Sequence, residues 1–186
     1  NDYLNANGDI GATGKTVYIS FLEQPADTAS FYEFEFHRGD YGDPGRIAGI
    51  GNDTSDNDVH FRTPSGTFLD LGPGDTAVNF YVVRIDFHGG NDDVRIYRNP
   101  TSMTEPGTPT VTKLGVGDMS FDRLCVGAWG NYVAVDEIRV GTTWTNVIGL
   151  NSTTIGSVES VAVTNSTMIG QGMAEFVPTG YDSNQV

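Results

Sequence analysis

The sequence has few cysteines, lysines and glutamates, and it has no long apolar run. Its single cysteine, Cys125, excludes an internal disulfide. The apolar neighbours Leu124 and Val126 predict a buried strand residue there rather than a catalytic nucleophile. Two lysines and seven glutamates are too few for a typical helical domain, because these residues are strong helix formers. No apolar stretch approaches the roughly 20 residues that cross a bilayer, so membrane insertion is not expected.

Acidic residues dominate the charge. Asp and Glu total 24 against 10 Lys and Arg, which gives a formal net charge of −14 at pH 7. Such a chain repels a phosphate backbone and has no basic cluster, so nucleic acid is not an expected partner. The length of 186 residues suits one sizeable domain. Turn formers, among them 24 glycines, and β-branched residues together favour an all-β domain.

Short strand-like segments bounded by turn residues recur along the chain. In 31–38 the residues alternate strictly, with aromatic side chains on one face and Glu33, Glu35 and His37 on the other. Nine strands are predicted, at 17–22, 31–38, 46–51, 59–62, 67–71, 78–88, 93–98, 120–126 and 132–140. Segment 99–119 is predicted to be a long loop, and 156–177 to contribute at least one strand. This pattern predicts a two-sheet antiparallel sandwich.

The clearest predicted pair is the hairpin of 78–88 with 93–98. A loop at 89–92 places Asp86 opposite Arg95 and Ile85 opposite Ile96, which matches opposite charges and apolar side chains. The apolar face predicts a set of core residues, Val83, Ile85, Phe87, Val94 and Ile96. The other face is predicted to be polar and to carry Arg84, Asp86, Arg95 and Tyr97.

The run Val-Asp-Glu-Ile-Arg-Val-Gly-Thr-Thr-Trp-Thr-Asn-Val at 135–147 resembles the closing strand of laminin-G-like, concanavalin A-like domains. Such domains occur in large secreted or surface proteins of environmental bacteria. Segments 16–22, 83–87, 97–100 and 120–124 fit the same pattern in order, so the resemblance covers about residues 10–148. It implies a jelly-roll sandwich in residues 1–148. Residues 149–186 are then an extension that supplies one or two strands to this sheet or to a partner.

The resemblance also implies a class of function and a location. Members of this superfamily are often glycan-binding modules attached to polysaccharide-degrading enzymes or adhesins, and some are glycosidases or lyases. A secreted or cell-surface location is therefore expected. Fold alone does not determine function, so the function has to be inferred from the candidate residues.

The predicted polar hairpin face is the leading candidate for sugar binding. Guanidinium and carboxylate groups donate to and accept from sugar hydroxyls, and aromatic rings stack on sugar faces. The expected ligand-binding residues are Arg84, Asp86, Arg95, Tyr97, Glu33, Glu35 and Trp129. Trp129 is also compatible with simple packing at a loop tip, whereas Trp144 is expected to pack in the core.

Glu33 and Glu35 have two further interpretations. The simpler one is a solvated strand face, and the other is an acid–base pair for glycoside hydrolysis. The segment Glu-Phe-Glu-Phe-His-Arg at 33–38 lacks the Asp and the final Glu of the E-x-D-x-x-E signature of jelly-roll glucanases. Catalysis is therefore expected less than binding.

A polar loop at 52–58 is a candidate calcium site. Carboxylate oxygens are the ligands that calcium favours, and the loop offers Asp53, Asp56 and Asp58. It lacks the glycine of a D-x-D-x-D-G loop. Taken together, the sequence predicts a non-catalytic, extracellular module that binds polysaccharide or another surface glycan. The alternatives are a structural subunit assembled by strand addition through 149–186, and a glycosidase or lyase.

Overall fold

The computed structural model describes residues 2–40 and 42–148, together with the backbone of 174–176. These residues form eleven strands and one short helix: β1 (Thr16–Pro25), β2 (Phe31–His37), β3 (Arg46–Asn52), β4 (Asp58–Arg62), β5 (Phe68–Pro73), β6 (Asn79–Asp86), β7 (Asp93–Arg98), β8 (Val111–Lys113), β9 (Arg123–Trp129), β10 (Val133–Gly141), α1 (Trp144–Ile148) and β11 (Ala174–Phe176). Within this part of the chain, no helix is long and apolar enough to cross a membrane.

The strands form two antiparallel sheets that pack face to face. One sheet has five strands in the order β10-β1-β6-β7-β8, and the other has six in the order β11-β9-β2-β3-β4-β5. The predicted all-β jelly-roll sandwich is confirmed. Aromatic rings fill the space between the sheets, as where Phe21 of β1 stacks on Phe34 of β2 with ring centroids 3.9 Å apart.

Alternation along each strand decides which side chains enter this core. In β2, Phe34 and Phe36 are fully buried between the sheets, so the intervening residues of that strand point to the outer face of the six-stranded sheet. The core residues predicted for the hairpin are all buried: Val83, Ile85, Phe87, Val94 and Ile96.

The register of the β6–β7 hairpin differs by two residues from the predicted one. Asp86 lies opposite Asp93, and Ile85 lies opposite Val94. The predicted pairing of Asp86 with Arg95 is therefore wrong, as is the pairing predicted for Ile85. A shift of two residues keeps every side chain on its own face, so the hydrophobic pattern does not distinguish the two registers.

The carboxylate of Asp92 explains the longer loop. It is buried and accepts hydrogen bonds from the backbone N–H groups of His88, at 2.7 Å, and Met119, at 2.8 Å. These bonds tie Asp92 both to the start of the loop 87–92 and to the segment before β9. Ile85 and Ile96 are buried as predicted despite the different register, because a shift of two residues leaves each side chain on its own face.

A second apolar cluster covers the outer face of the five-stranded sheet. In α1, Trp144, Val147 and Ile148 pack against residues of β1, β6 and β7. Neither α1 nor β8 was predicted. The strand β8 falls in segment 99–119, which was expected to be a long loop. The core role expected for Trp144 is confirmed. The helix α1 thus covers part of this outer face.

The described part of the C-terminal extension is one short strand. β11 pairs antiparallel with β9, so it joins the six-stranded sheet of this sandwich. It falls inside the segment 156–177 for which a strand was predicted. The other predictions for residues 149–186, including self-association, lie outside the described residues, and the division at residue 148 stays a prediction.

Candidate functional site

The polar residues of the β6–β7 hairpin bind mainly to one another. Asp86 accepts hydrogen bonds from Thr16, at 2.6 Å, from Arg84, at 2.9 Å, and from Arg95. Arg84 also donates from Nη1 to both carboxylate oxygens of Glu105, at 3.0 Å each. Burial raises the pKa of Asp86, but these hydrogen bonds outweigh it and leave the pKa below its ordinary value.

Glu105 ties the loop after β7 onto this face. Its carboxylate accepts hydrogen bonds from the hydroxyl groups of Tyr18, at 2.8 Å, and Tyr97, at 2.6 Å. Burial, and then the bond to Glu105, raise the pKa of Tyr18 to about 12. The ring of Tyr97 packs against Trp144, with centroids 4.9 Å apart, and only 3% of the residue is exposed. The expected exposed stacking surface at Tyr97 is therefore wrong, because α1 covers it.

A cleft of about 300 Å³ remains beside this network, lined by Arg84, Arg95, Tyr97, Glu105 and the loop 106–109. Its polar groups already have partners within the protein, and Tyr97, the aromatic residue that lines it, is only 3% exposed. This cleft therefore offers a sugar no exposed aromatic face.

The outer face of the six-stranded sheet holds a buried charged cluster. Glu33, Glu35 and His37 of β2 point to this face, and each is at most 2% exposed. The interpretation of the two glutamates as a solvated strand face is therefore wrong. Charged groups at such depth need partners, because an unpaired buried charge is strongly destabilising.

Arg46 supplies the main partner of both carboxylates. Its Nη1 donates to Glu33 Oε2 and to Glu35 Oε1, at 3.0 Å each, and its Nη2 donates to Asp43 at 2.6 Å. The guanidinium group also lies 5.7 Å from the centre of the Phe31 ring, a cation–π distance. One arginine side chain therefore fixes both carboxylates and reaches from β3 to the aromatic end of β2.

His37 holds the other side of Glu35. Its Nδ1 lies 3.2 Å from the carbonyl oxygen of Asp40, which can only accept, so Nδ1 carries a proton. Its Nε2 lies 2.6 Å from Glu35 Oε2. A proton must lie in that contact, either on the imidazole or on the carboxyl group. Glu35 is thus held by hydrogen bonds at both oxygens.

Two glycines make room for the two carboxyl groups. A Cβ atom at Gly49 of β3 would lie 2.9 Å from Glu33 Oε2, and one at Gly127 of β9 would lie 2.8 Å from Glu35 Oε1. Real Cβ atoms do not approach other atoms so closely. The carboxyl groups therefore lean to opposite sides of β2, Glu33 over β3 and Glu35 over β9.

Glu33 titrates close to neutral pH. Burial raises its pKa to about 7, the attraction of Arg46 opposes the rise, and repulsion from Glu35 adds to it. The positive charge of Arg62 also opposes the rise, so Arg62 lies near enough to affect Glu33. A carboxyl group that is partly protonated at pH 7 is able both to donate and to accept a hydrogen bond.

An open cleft of about 400 Å³ lies beside this cluster. It is lined by Phe31, Glu35, Gly42, Asp43, Arg46, Gly127, Ala128 and Trp129. Trp129 lies at its rim and is 78% exposed, so the interpretation of Trp129 as a packing residue is wrong. Phe31 is the Cα partner of Trp129 across β2 and β9. The cleft thus combines two adjacent aromatic rings with a carboxylate and a guanidinium group.

The three aspartates proposed for calcium do not converge. Asp53 accepts hydrogen bonds from Ser55, at 2.9 and 2.5 Å, and Asp56 accepts one from the backbone N–H of Asp58 at 2.8 Å. Over the described ranges, no group of three or more His, Cys, Asp or Glu side chains is placed to hold a metal ion. Calcium binding stays a prediction, and a rise in melting temperature on addition of calcium is its test.

Comparisons with known proteins add little. No protein-family model matches the chain, and no curated protein matches it. A solved structure, the crystal structure of endo-β-1,4-glucuronan lyase from the fungus Trichoderma reesei, is similar at 16% sequence identity, covering 78% of this chain and 80% of that chain, with a TM-score of 0.47. The resemblance to laminin-G-like domains therefore stays a prediction.

Several residues of the cleft on the six-stranded sheet were not predicted from the sequence. Arg46 and Phe31 lie at strand ends, and only the pairing of β2 with β3 and β9 brings them to the glutamates. Gly49 and Gly127 were also missed, although an isolated glycine inside a strand pattern is a recognised sign of close approach. Glu33, Glu35 and Trp129 were predicted, but as additions to the hairpin face, which belongs to the other sheet.

Proposed function

We propose that the protein is an extracellular module that binds a polysaccharide in the cleft on the outer face of the six-stranded sheet. The observation that carries the proposal is the exposed Trp129 at the rim of a cleft whose floor holds the Arg46–Glu35 ion pair. An exposed tryptophan gives a sugar a stacking surface, and a fixed ion pair gives its hydroxyl groups directional partners.

The cleft suits a sugar ligand in size and in chemistry. Its volume of about 400 Å³ falls in the range of small-molecule sites. The hydrogen bonds of Arg46 and His37 fix the carboxylate of Glu35 before any ligand arrives, which lowers the ordering cost of binding. We expect modest affinity, with Kd of about 10⁻³ to 10⁻⁵ M, because an open cleft buries only part of its ligand.

The first experiment compares variants on a panel of polysaccharides by affinity electrophoresis and calorimetry. We expect Trp129→Ala to weaken binding at least about tenfold, since the loss of an aromatic contact with the ligand commonly costs this much. Tyr132→Ala is the matched control, because Tyr132 is similarly exposed in the next turn but does not line the cleft.

The same panel distinguishes binding at the cleft from binding at the hairpin face on the other sheet. Arg95→Ala changes the hairpin face on the other sheet and should leave binding within about twofold of wild type. Binding that is lost in Arg95→Ala and kept in Trp129→Ala would return the site to the hairpin. If the protein binds none of the polysaccharides on the panel, the proposal is wrong.

Cleavage of the bound glycan is a second candidate function. Glu33 has a pKa of about 7, and although it does not itself line the cleft, it shares Arg46 with Glu35, which does. A carboxyl group with a pKa near neutrality suits general acid–base catalysis. The test is release of new reducing ends or unsaturated products from bound polysaccharide by the wild type. Loss of this activity in Glu33→Gln with binding retained would support catalysis, and no product from the wild type would exclude it for that polymer.

A further inference from the structure

Arg62 differs from every other arginine of the chain. Seven of the eight arginines form ion pairs with carboxylates: Arg38, Arg46, Arg84, Arg95, Arg98, Arg123 and Arg139. Arg62 forms none with any described residue. Its guanidinium carbon lies 5.5 Å from the centre of the Phe68 ring, and the side chain is half-buried. In a chain with 24 acidic residues, a guanidinium group without a carboxylate partner is an exception.

Arg62 lies on the same face as the proposed cleft. It pairs with Gly49 across β4 and β3, and Gly49 pairs with Glu35 across β3 and β2. Paired residues share a face of a sheet, so Arg62 lies two strands from Glu35, or about 10 Å at the usual strand spacing. Gly49 contributes no side chain between them, and the carboxyl group of Glu33 occupies the space above it.

The aromatic groups extend this face at both ends. Trp129 of β9 lies on one side of the glutamates, and Phe68 of β5, the Cα partner of Arg62, lies on the other. From β9 to β5 the face spans four strand spacings, or about 19 Å. This distance suits several linked sugar units rather than one.

We propose that Arg62 binds a negatively charged substituent, a carboxylate or a sulfate group, on a sugar unit of an acidic polysaccharide that lies across the six-stranded sheet. This inference rests on the proposed function, because Arg62 would bind a unit of the same glycan chain that Trp129 contacts. A guanidinium group suits such a ligand because its planar N–H groups bind carboxylate and sulfate oxygens in pairs.

The remaining charges on the face explain why Arg62 would serve this role. Arg46 is already neutralised by Glu33, Glu35 and Asp43. Arg62 lies over the ring of Phe68 at a cation–π distance, a contact that does not use its hydrogen-bonding groups. An arginine already held against a ring loses less freedom on binding an anion than a mobile one.

The experiment compares a polyuronate with its carboxyl-reduced, neutral derivative, and a sulfated polymer forms a third arm. Wild type is expected to bind the polyuronate or the sulfated polymer at least about tenfold more tightly than the neutral polymer. Arg62→Gln should remove this preference and leave binding of the neutral polymer unchanged. Arg139→Gln makes the same charge change on β10 of the other sheet and should keep the preference. Melting temperatures of all variants establish that they are folded.

The outcomes separate this inference from the proposed function. If Trp129→Ala weakens binding of every polymer and Arg62→Gln leaves the preference intact, the cleft binds glycan and the role of Arg62 is wrong. Equal affinity of the wild type for charged and neutral polymers also overturns the role of Arg62. If no polymer binds, both proposals fail.

Discussion

The position of the Glu35 carboxyl group requires a glycine at position 127, because a Cβ atom there would lie 2.8 Å from Glu35 Oε1. We therefore expect Gly127→Ala to push the carboxylate away from Arg46, which lies 3.0 Å from that oxygen. The disturbed buried ion pair should lower the free energy of unfolding by about 1–3 kcal/mol. Urea unfolding measures this loss.

Gly107→Ala is the matched control for this prediction. No atom lies within 4 Å of the position of a Cβ at Gly107, and its backbone does not need a positive φ. Its unfolding free energy should equal that of wild type or rise slightly, because alanine restricts the unfolded chain. Equal effects of the two substitutions would show that Gly127 is not required for the position of Glu35.

Glu33 makes stability depend on pH in a predictable direction. Its pKa in the folded protein is about 7, against 4.5 for an ordinary glutamate. The folded state therefore holds this proton more tightly than the unfolded state, and its contribution to stability is lost as pH rises from 4.5 to 7. Glu33→Gln removes the titration. Relative to the variant, wild type should lose up to about 3 kcal/mol across this range.

Urea unfolding at several pH values between 4.5 and 7.5 measures the difference. Glu137→Gln serves as the control, since the side chain of Glu137 is 43% exposed and pairs with Arg139 at the surface. A Glu33→Gln profile parallel to wild type would mean that Glu33 is ionised normally in the folded state.

The hydrophobic pattern predicted much of the fold, because alternation assigns each strand residue to a face. Ile85 and Ile96 are buried as expected. Alternation does not fix register, since a shift of two residues leaves both faces unchanged. Next to this register, the buried Asp92 carboxylate accepts a hydrogen bond from the backbone N–H of Met119, 27 positions away in the sequence. Such a contact leaves no local pattern in the sequence.

The helix α1 did leave a local pattern that was missed. Trp144, Val147 and Ile148 are spaced i, i+3, i+4, which is typical of one apolar helix face. The Thr143 side chain is bonded to Asn146 Oδ1 at 2.8 Å where the helix begins. The charged cluster could not be predicted in the same way. Glu33 and Glu35 were recognised on one face, but their burial depends on Arg46, which only strand pairing brings close.

Glu105 should hold the loop after β7 on the five-stranded sheet. It accepts hydrogen bonds from Tyr18, Tyr97 and Arg84. Glu105→Ala leaves these donors without their acceptor, and we expect a loss of about 2–4 kcal/mol in unfolding free energy. Glycan binding should not change, because this loop lies on the other sheet. A large loss of glycan binding in the folded variant would point to the hairpin face instead.

Cys125 should react slowly with thiol reagents in the native protein. It is 2% exposed on β9, where it pairs with Glu35 of β2 and with β11. Reaction therefore requires the strand to open, so labelling should accelerate strongly in urea. Labelling by a colorimetric disulfide reagent, with and without urea, gives the two rates. Equal rates in the native and unfolded protein would contradict the burial of this thiol.

The most direct measurement of glycan binding on the six-stranded sheet is tryptophan fluorescence with an acrylamide quencher. Trp129 belongs to the six-stranded sheet and is 78% exposed, whereas Trp144 packs on the five-stranded sheet and is 5% exposed, so the two report on opposite faces of the sandwich. With a polysaccharide that binds, wild-type emission should shift to shorter wavelength and become protected from quenching. Trp129→Phe, which keeps an aromatic ring, should show neither change. Binding without protection of Trp129, or the same change in Trp129→Phe, would contradict a glycan site at this cleft.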